Sequence, residues 1–331
     1  MRVYMASFYQ TIRAQTMSAS TIQRITYRNF VYPWMLESFH YMDKIMARDI
    51  REHNRNVFLD SGAFSAFTVN AKIDLDDYAH FLRDCGDLYH VASNVDVIGT
   101  DCEEKTYANQ KYLESKIGTG IVCPVHHVRD HDDWLKRYMD EGYEYLFLGG
   151  MVPETTPVLR QWLDHVWMKY LTNPDGTPKL KVHGFGLTTE ELMYRYPWFS
   201  VDSTSWLIAA GFGFVFMDFP QEKGEPRHFK VNFSEHSSSR YDLSGWHFTT
   251  LKADEQEMVR ARLEQLEIER RWVADPGLRR DFKDEHGTEL RYTPEAIGKS
   301  LGLRRVMNMD YFIRMAEQRT NRFARVQETL F

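Results

Sequence analysis

The 331-residue chain carries 41 basic and 47 acidic side chains, and its net charge of −6 excludes a protein that coats nucleic acid with bulk positive potential. No apolar run approaches the roughly 20 residues that span a bilayer, and the amino terminus lacks the apolar core of a secretory leader, so a cytoplasmic protein with no membrane partner is expected. Cys85, Cys102 and Cys123 are too few and too scattered for a disulfide framework; with no Cys-x-x-Cys or His-Glu-x-x-His spacing, neither a metal nor a cofactor is expected.

From the start to about residue 220, short apolar runs alternate with amphipathic stretches. The expected strands are 3–7, 57–60, 90–98, 120–125, 145–149, 180–185, 199–202 and 214–218. Helices are expected over 33–54, 74–84, 103–116, 130–141, 155–171, 188–195 and 203–210, with Asp130 as one start signal and Thr188 with Glu191 as a capping box. Strands alternating with helices imply parallel βαβ units, and eight of them in this length predict a (β/α)₈ barrel of the TIM type over 1–220. Beyond it, 221–331 reads as a polar insertion followed by a mainly helical extension. A charged helix is expected over 254–273, a second from Thr293 and Pro294 to about Gly302, and a third from about Asn308. The last two, joined at a glycine, suggest either a DNA-reading helix pair or two ordinarily packed helices.

Charge is uneven along the chain. Residues 1–36 hold Arg2, Arg13, Arg24 and Arg28 and no acid, while 299–325 hold seven cations against two acids. Arg13, Arg24, Arg28, Arg304 and Arg305 are the candidates for phosphate contacts, against the plain alternative of solvated helix faces.

In a closed βα barrel the active site is built at the carboxyl ends of the strands. Those ends here bear Asp60-Ser61-Gly62, Asp96, Pro124 to His127, Gly149-Gly150, His183-Gly184 and Asp202-Ser203. One such acid alone could merely cap the next helix; three converging on one mouth, with glycines between them, point to acid–base or nucleophilic chemistry.

The segment LDSGAFSAF at 59–67 resembles the Asp-Ser-Gly-Gly-aromatic motif of the tRNA-guanine transglycosylase superfamily. FSVDSTSW at 199–206 resembles the stretch holding that superfamily's nucleophilic aspartate, FLGGMVP at 147–153 its Gly-Gly turn, and VHGFG at 182–186 its Met-Gly-Val-Gly stretch. Within the superfamily the chain looks most like the phage-type 7-deazaguanine DNA transglycosylases. The resemblance implies exchange of guanine in DNA for a free 7-deazaguanine base, such as 7-cyano-7-deazaguanine, with no cofactor. Asp202 would be the nucleophile and Asp60 the acid/base. Asp96 would accept hydrogen bonds from the base edge, with Asp101 as its competitor. His126, at the position of a family glutamine, would donate to the base. Gly149, Gly150 and Gly184 would allow close backbone approach, and Phe64 and His183 would stack on the ring; plain core packing is the alternative for Phe64, a satisfied strand-end histidine for His126.

The tRNA-acting members carry a cysteine-rich zinc segment after the nucleophile, whereas no cysteine follows Cys123 here, which makes tRNA the weaker substrate candidate. Ala63 replaces the second glycine of the motif. A retaining glycoside or N-glycoside hydrolase and a non-catalytic nucleic-acid-binding barrel are the competing readings.

Overall fold

The computed structural model describes residues 1–8, 34–52, 54–69, 71–187, 189–221, 226–237, 247–269 and 291–317. Its contacts divide the chain into two compact units, with the boundary between Ser203 and Thr204.

The first unit is a (β/α)₈ barrel. Its strands are β1 (Arg2–Ala6), β2 (Trp34–Ser38), β3 (Asn56–Asp60), β4 (Val91–Ser93), β5 in two halves (Val122–Cys123 and Val125–His127), β6 (Tyr145–Gly149), β7 (Lys181–Gly184) and β8 (Ser200–Ser203). All neighbours pair in parallel, and β1 pairs with both β2 and β8. Pro124 splits β5 because it has no N–H to give the ladder. The first half still pairs with β4 and the second with β6, while the Pro124 carbonyl accepts from Phe147 N at 3.0 Å. The ring of strands is therefore closed through the proline.

Alternation along each strand sorts side chains between the barrel interior and the helix layer. Tyr4, Ala6, Leu36, Phe58, Val91, Cys123, Val125 and Phe147 form one buried cluster, the interior. Leu59, Ala92 and Val122, each one residue out of phase, pack with Tyr78, Ala79, Leu82 and Leu113 of the helices Leu75–Asp84 and Glu103–Ile117. Residues in phase with the interior at the carboxyl ends, such as Asp60 and Asp202, therefore line the mouth.

Two expectations are corrected. The helix expected over 33–54 begins as β2, with a helix only over Lys44–Glu52. Trp-Met-Leu-Glu-Ser has good helix formers, and pairing with β1 and β3 overrides that preference. The segment expected as the eighth barrel strand, 214–218, instead lies in β9 (Phe214–Phe219), which pairs antiparallel with β10 (Arg227–Asn232) in a separate two-stranded sheet. Asp130 does not cap its helix: His131 does, and the Asp130 carboxylate accepts from His127 N at 2.7 Å. Thr188 lies outside the described residues.

Among the described residues of the second unit the α-helices are Ser205–Gly211, Ala253–Glu269, Pro294–Lys299 and Leu301–Glu317. The last is buried from Gly302 through Ala316 except at the half-buried Arg305, which removes it as a groove-reading helix. Arg304 is buried too, donating to the carbonyls of Ala210, Ile297 and Gly298, and so is spent on helix ends instead of phosphates. Arg305 is half-buried beside it. Arg13, Arg24 and Arg28 lie outside the described residues.

Asp218 accepts from Arg262 and Arg314 at 2.9 Å each, all three being buried. Burial alone would raise the Asp218 pKa, but the guanidiniums of Arg314 and Arg262 hold it below the usual carboxylate value. Asp218→Ala is expected to cost about 3–5 kcal/mol by leaving two buried cations short of a partner. Chemical denaturation measures this, and a loss below about 1 kcal/mol would show that the arginines find other acceptors.

Candidate active site

Asp60 ends β3 and is half-buried. Its Oδ2 accepts from Gly62 N at 2.9 Å and its Oδ1 from Ser93 Oγ at 3.3 Å. Ser93 Oγ also accepts from Ser61 N at 2.8 Å, so the end of β4 holds the turn that follows β3. That turn needs glycine: Gly62 has φ of 83°, and a Cβ there would lie 2.4 Å from Ser38 Oγ. Burial, followed by the charge of Asp96 and then that of Asp202, raises the Asp60 pKa from 3.8 to about 7. These three acids are thus electrostatic neighbours at one mouth, and Asp60 is poised to hold or release a proton near neutrality.

Asp202 is 7% exposed on β8. Its Oδ1 accepts from Gly186 N at 2.8 Å and contacts His183 Nε2 at 3.2 Å. Gly186, at φ of 63°, turns its N–H back toward the strand ends. Oδ2 makes no such bond among the described residues, so the two oxygens are chemically distinct: one is held and the other is not. His183 is wholly buried among Tyr4, Phe58, Phe147 and Phe185, whose rings enclose it. The stacking role expected of His183 is thereby corrected, because the ring is enclosed and both its nitrogens are engaged inside the barrel.

Asp96 lies just past β4, and its Oδ2 is 2.8 Å from His127 Nε2. Burial would lower the His127 pKa, but the Asp96 carboxylate outweighs it, with Asp130 and Glu103 adding to the rise. A Cβ on Gly149 would meet the His127 ring at 2.7 Å, and one on Gly150 would meet His127 Cβ at 3.2 Å. The Gly-Gly turn thus makes room for this histidine. His126, expected at the site, points the other way: it is buried and stacks 6.3 Å from Trp162 of the helix Thr156–Val166. Neither of its ring nitrogens has a hydrogen bond, and burial pushes its pKa down to about 3. One step along a strand reverses the face, so the inward histidine is His127.

Phe64 is 56% exposed on the helix Ala63–Thr68 directly after Asp60, which excludes core packing and leaves the ring free to stack. Gly184 is closely packed, since a Cβ there would lie 3.1 Å from the Trp198 ring. Asp101 is exposed at φ of 53°, while Asp96 is the acid that acts on Asp60. Sequence reasoning missed His127, Ser93, Gly186, Ser200 and Tyr145. The inward phase set by Val125 could have found His127, and that set by Asp202 could have found Ser200.

The fold and site define a TIM-type barrel with a triacidic mouth. The chain matches no protein-family model and no curated protein.

A raised pKa in the folded state stabilises the fold at acid pH, and that contribution is lost as pH rises from 3.8 through about 7. Asp60→Asn removes this dependence. The variant is expected to be more stable than wild type at alkaline pH by on the order of 2 kcal/mol, and to lose that advantage toward about pH 4. Denaturation midpoints of both proteins across this range provide the check; parallel profiles would mean that Asp60 titrates normally.

Proposed function

We propose that this protein is a base-exchange transglycosylase acting on a nucleic acid, with DNA as the substrate and a free 7-deazaguanine as the incoming base. The observation that carries the reading is the pairing of two unlike carboxylates at one barrel mouth. Asp60 holds a proton near neutrality, and Asp202 is fixed through one oxygen and, among the described residues, not through the other.

In the first step Asp202 Oδ2 attacks the anomeric carbon, the glycosidic C–N bond breaks, and Asp60 gives its proton to the departing guanine. The sugar is then an ester of Asp202 and Asp60 is a carboxylate. In the second step Asp60 takes a proton from the incoming base, whose nitrogen attacks the same carbon and releases Asp202. Two displacements retain the configuration. Asp96, whose carboxylate meets His127, suits the N–H groups of a guanine-like edge, and Phe64 suits a base face. Stacking of that kind contributes about 1–3 kcal/mol per base. A base inside a duplex hides its anomeric carbon, so the target is flipped out or single-stranded. DNA is favoured over tRNA by the resemblance to the DNA-modifying branch and by the lack of any cysteine after Cys123.

Co-expression with enzymes that supply 7-deazaguanines, followed by mass spectrometry of nucleosides from DNA and tRNA, tests the reading. Modified guanine in DNA is expected. Net loss of base or sugar without exchange would favour a hydrolase on the same carboxylate pair, and binding without turnover would favour a non-catalytic barrel. Asp202→Asn is expected to abolish exchange while leaving the fold intact, and wild type denatured without incoming base should retain a covalent DNA adduct. Turnover close to wild type in that variant would place the nucleophile elsewhere.

Asp96→Ala is expected to act on selection more than on chemistry. Leaving the donors of a base edge unpaired costs about 1–3 kcal/mol, seen as weaker base binding and relaxed discrimination. An unchanged base preference, measured by competition between guanine and a 7-deazaguanine, would remove Asp96 from recognition.

A further inference from the structure

A line of polar groups, starting from the half-buried Tyr145, runs through the barrel interior, where apolar packing would otherwise be expected. Tyr145 Oη and Ser200 Oγ are 2.6 Å apart, Ser200 Oγ and His183 Nδ1 are 2.7 Å apart, and His183 Nε2 lies 3.2 Å from Asp202 Oδ1. Ser200 and His183 have no exposed surface. The four residues come from β6, β7 and β8, and Ser200 and Asp202 share the inward face of one strand.

We propose that His183 is a positioning residue for Asp202, its tautomer and ring plane fixed from behind by Ser200 and Tyr145. The inference rests on the reading of Asp202 as nucleophile given above. An ionised carboxylate only accepts, so Nε2 must carry the proton that Oδ1 receives. Nδ1 of the neutral ring is then an acceptor, Ser200 must donate to it, and Ser200 in turn accepts from the Tyr145 hydroxyl. Burial, followed by the neighbouring Tyr4, pushes the Tyr145 phenol far above its usual value, and burial lowers His183. Each link is thus neutral and every donor points toward Asp202. The opposite polarity would leave two acceptors face to face at Oδ1. With Gly186 N as its second donor, Oδ1 is held from two directions and the carboxylate cannot exchange its oxygens freely.

The test combines a readout independent of turnover with a kinetic one. In full-length protein labelled with ¹⁵N-histidine, the His183 resonances, assigned by their loss in His183→Gln, are expected to show the neutral Nε2–H tautomer. Ser200→Ala and Tyr145→Phe should shift that ring toward a tautomer mixture. Both variants should slow formation of the Asp202–DNA adduct, Ser200→Ala by about 10²-fold, with the KM for DNA unchanged. His183→Gln, which keeps a donor, should retain more activity than His183→Ala. An Nδ1–H tautomer in wild type, or tautomers unmoved in both variants, would overturn the proposal whatever the enzyme acts on. Full adduct rates in Ser200→Ala, alongside an inactive Asp202→Asn, would overturn positioning while leaving the nucleophile in place. Activity in Asp202→Asn would instead sink the functional reading, and the tautomer measurement would still decide the polarity of the chain.

Discussion

Asp60, Asp96 and Asp202 are close enough at one end of the barrel for the latter two to raise the proton affinity of the first. Three like charges in so confined a space cannot all be carried without compensation. The mouth resolves the conflict by giving each acid different partners. Asp202 receives a backbone N–H and a histidine, and Asp96 receives His127. Among the described residues Asp60 accepts from one backbone N–H and from a serine hydroxyl at 3.3 Å. Burial raises the proton affinity of Asp60 most, and the charges of Asp96 and Asp202 add to the rise.

That arrangement constrains the backbone around it. Gly62 has to be glycine because the loop carrying the Asp60 donor folds against Ser38, and Gly149 because the ring that compensates Asp96 lies across it. Gly186 supplies the N–H that holds Asp202. Glycines that resemble a base-approach motif in the sequence thus have an internal reason to be there. The two explanations are compatible, since space for His127 and space for a ligand are made on the same turn.

The barrel was legible because a closed parallel sheet writes itself twice, as apolar strands and as polar residues at their carboxyl ends. Seven of the expected strands lie where β1 and β3 to β8 form. β2 escaped because Met35, Leu36 and Glu37 are as suited to helix as to strand, and only pairing with distant segments decides between them. Phe214–Phe219 misled for the complementary reason: an apolar run shows that a strand forms without showing which sheet it joins. Among the site residues Asp60, Asp96 and Asp202 were readable from position alone. His126 and His127 were not separated, because adjacent histidines need the strand phase to tell them apart; Cys123 and Val125 share the inward face, and His127 continues it. Arg304 was misread since formal charge does not reveal that three carbonyls surround it.

The barrel interior has a further consequence for how the two catalytic candidates differ. A carboxylate at a strand end normally has water for its donors, and its oxygens are then equivalent. Asp202 has instead a histidine behind it whose ring is packed by Tyr4, Phe58, Phe147 and Phe185. Its donors cannot relax when charge leaves the carboxylate, and such preorganised dipoles exact no reorganisation at the moment of reaction. Asp60 faces the opposite demand. A group that must give up a proton and take it back needs both states to be of similar energy, and burial near other acids achieves that. In the proposed exchange the rigid acid forms and breaks the covalent bond while the acid whose pKa is raised moves the proton. The same barrel mouth can meet both demands because one acid is held by a histidine of the packed interior and the other by the buried turn that follows β3.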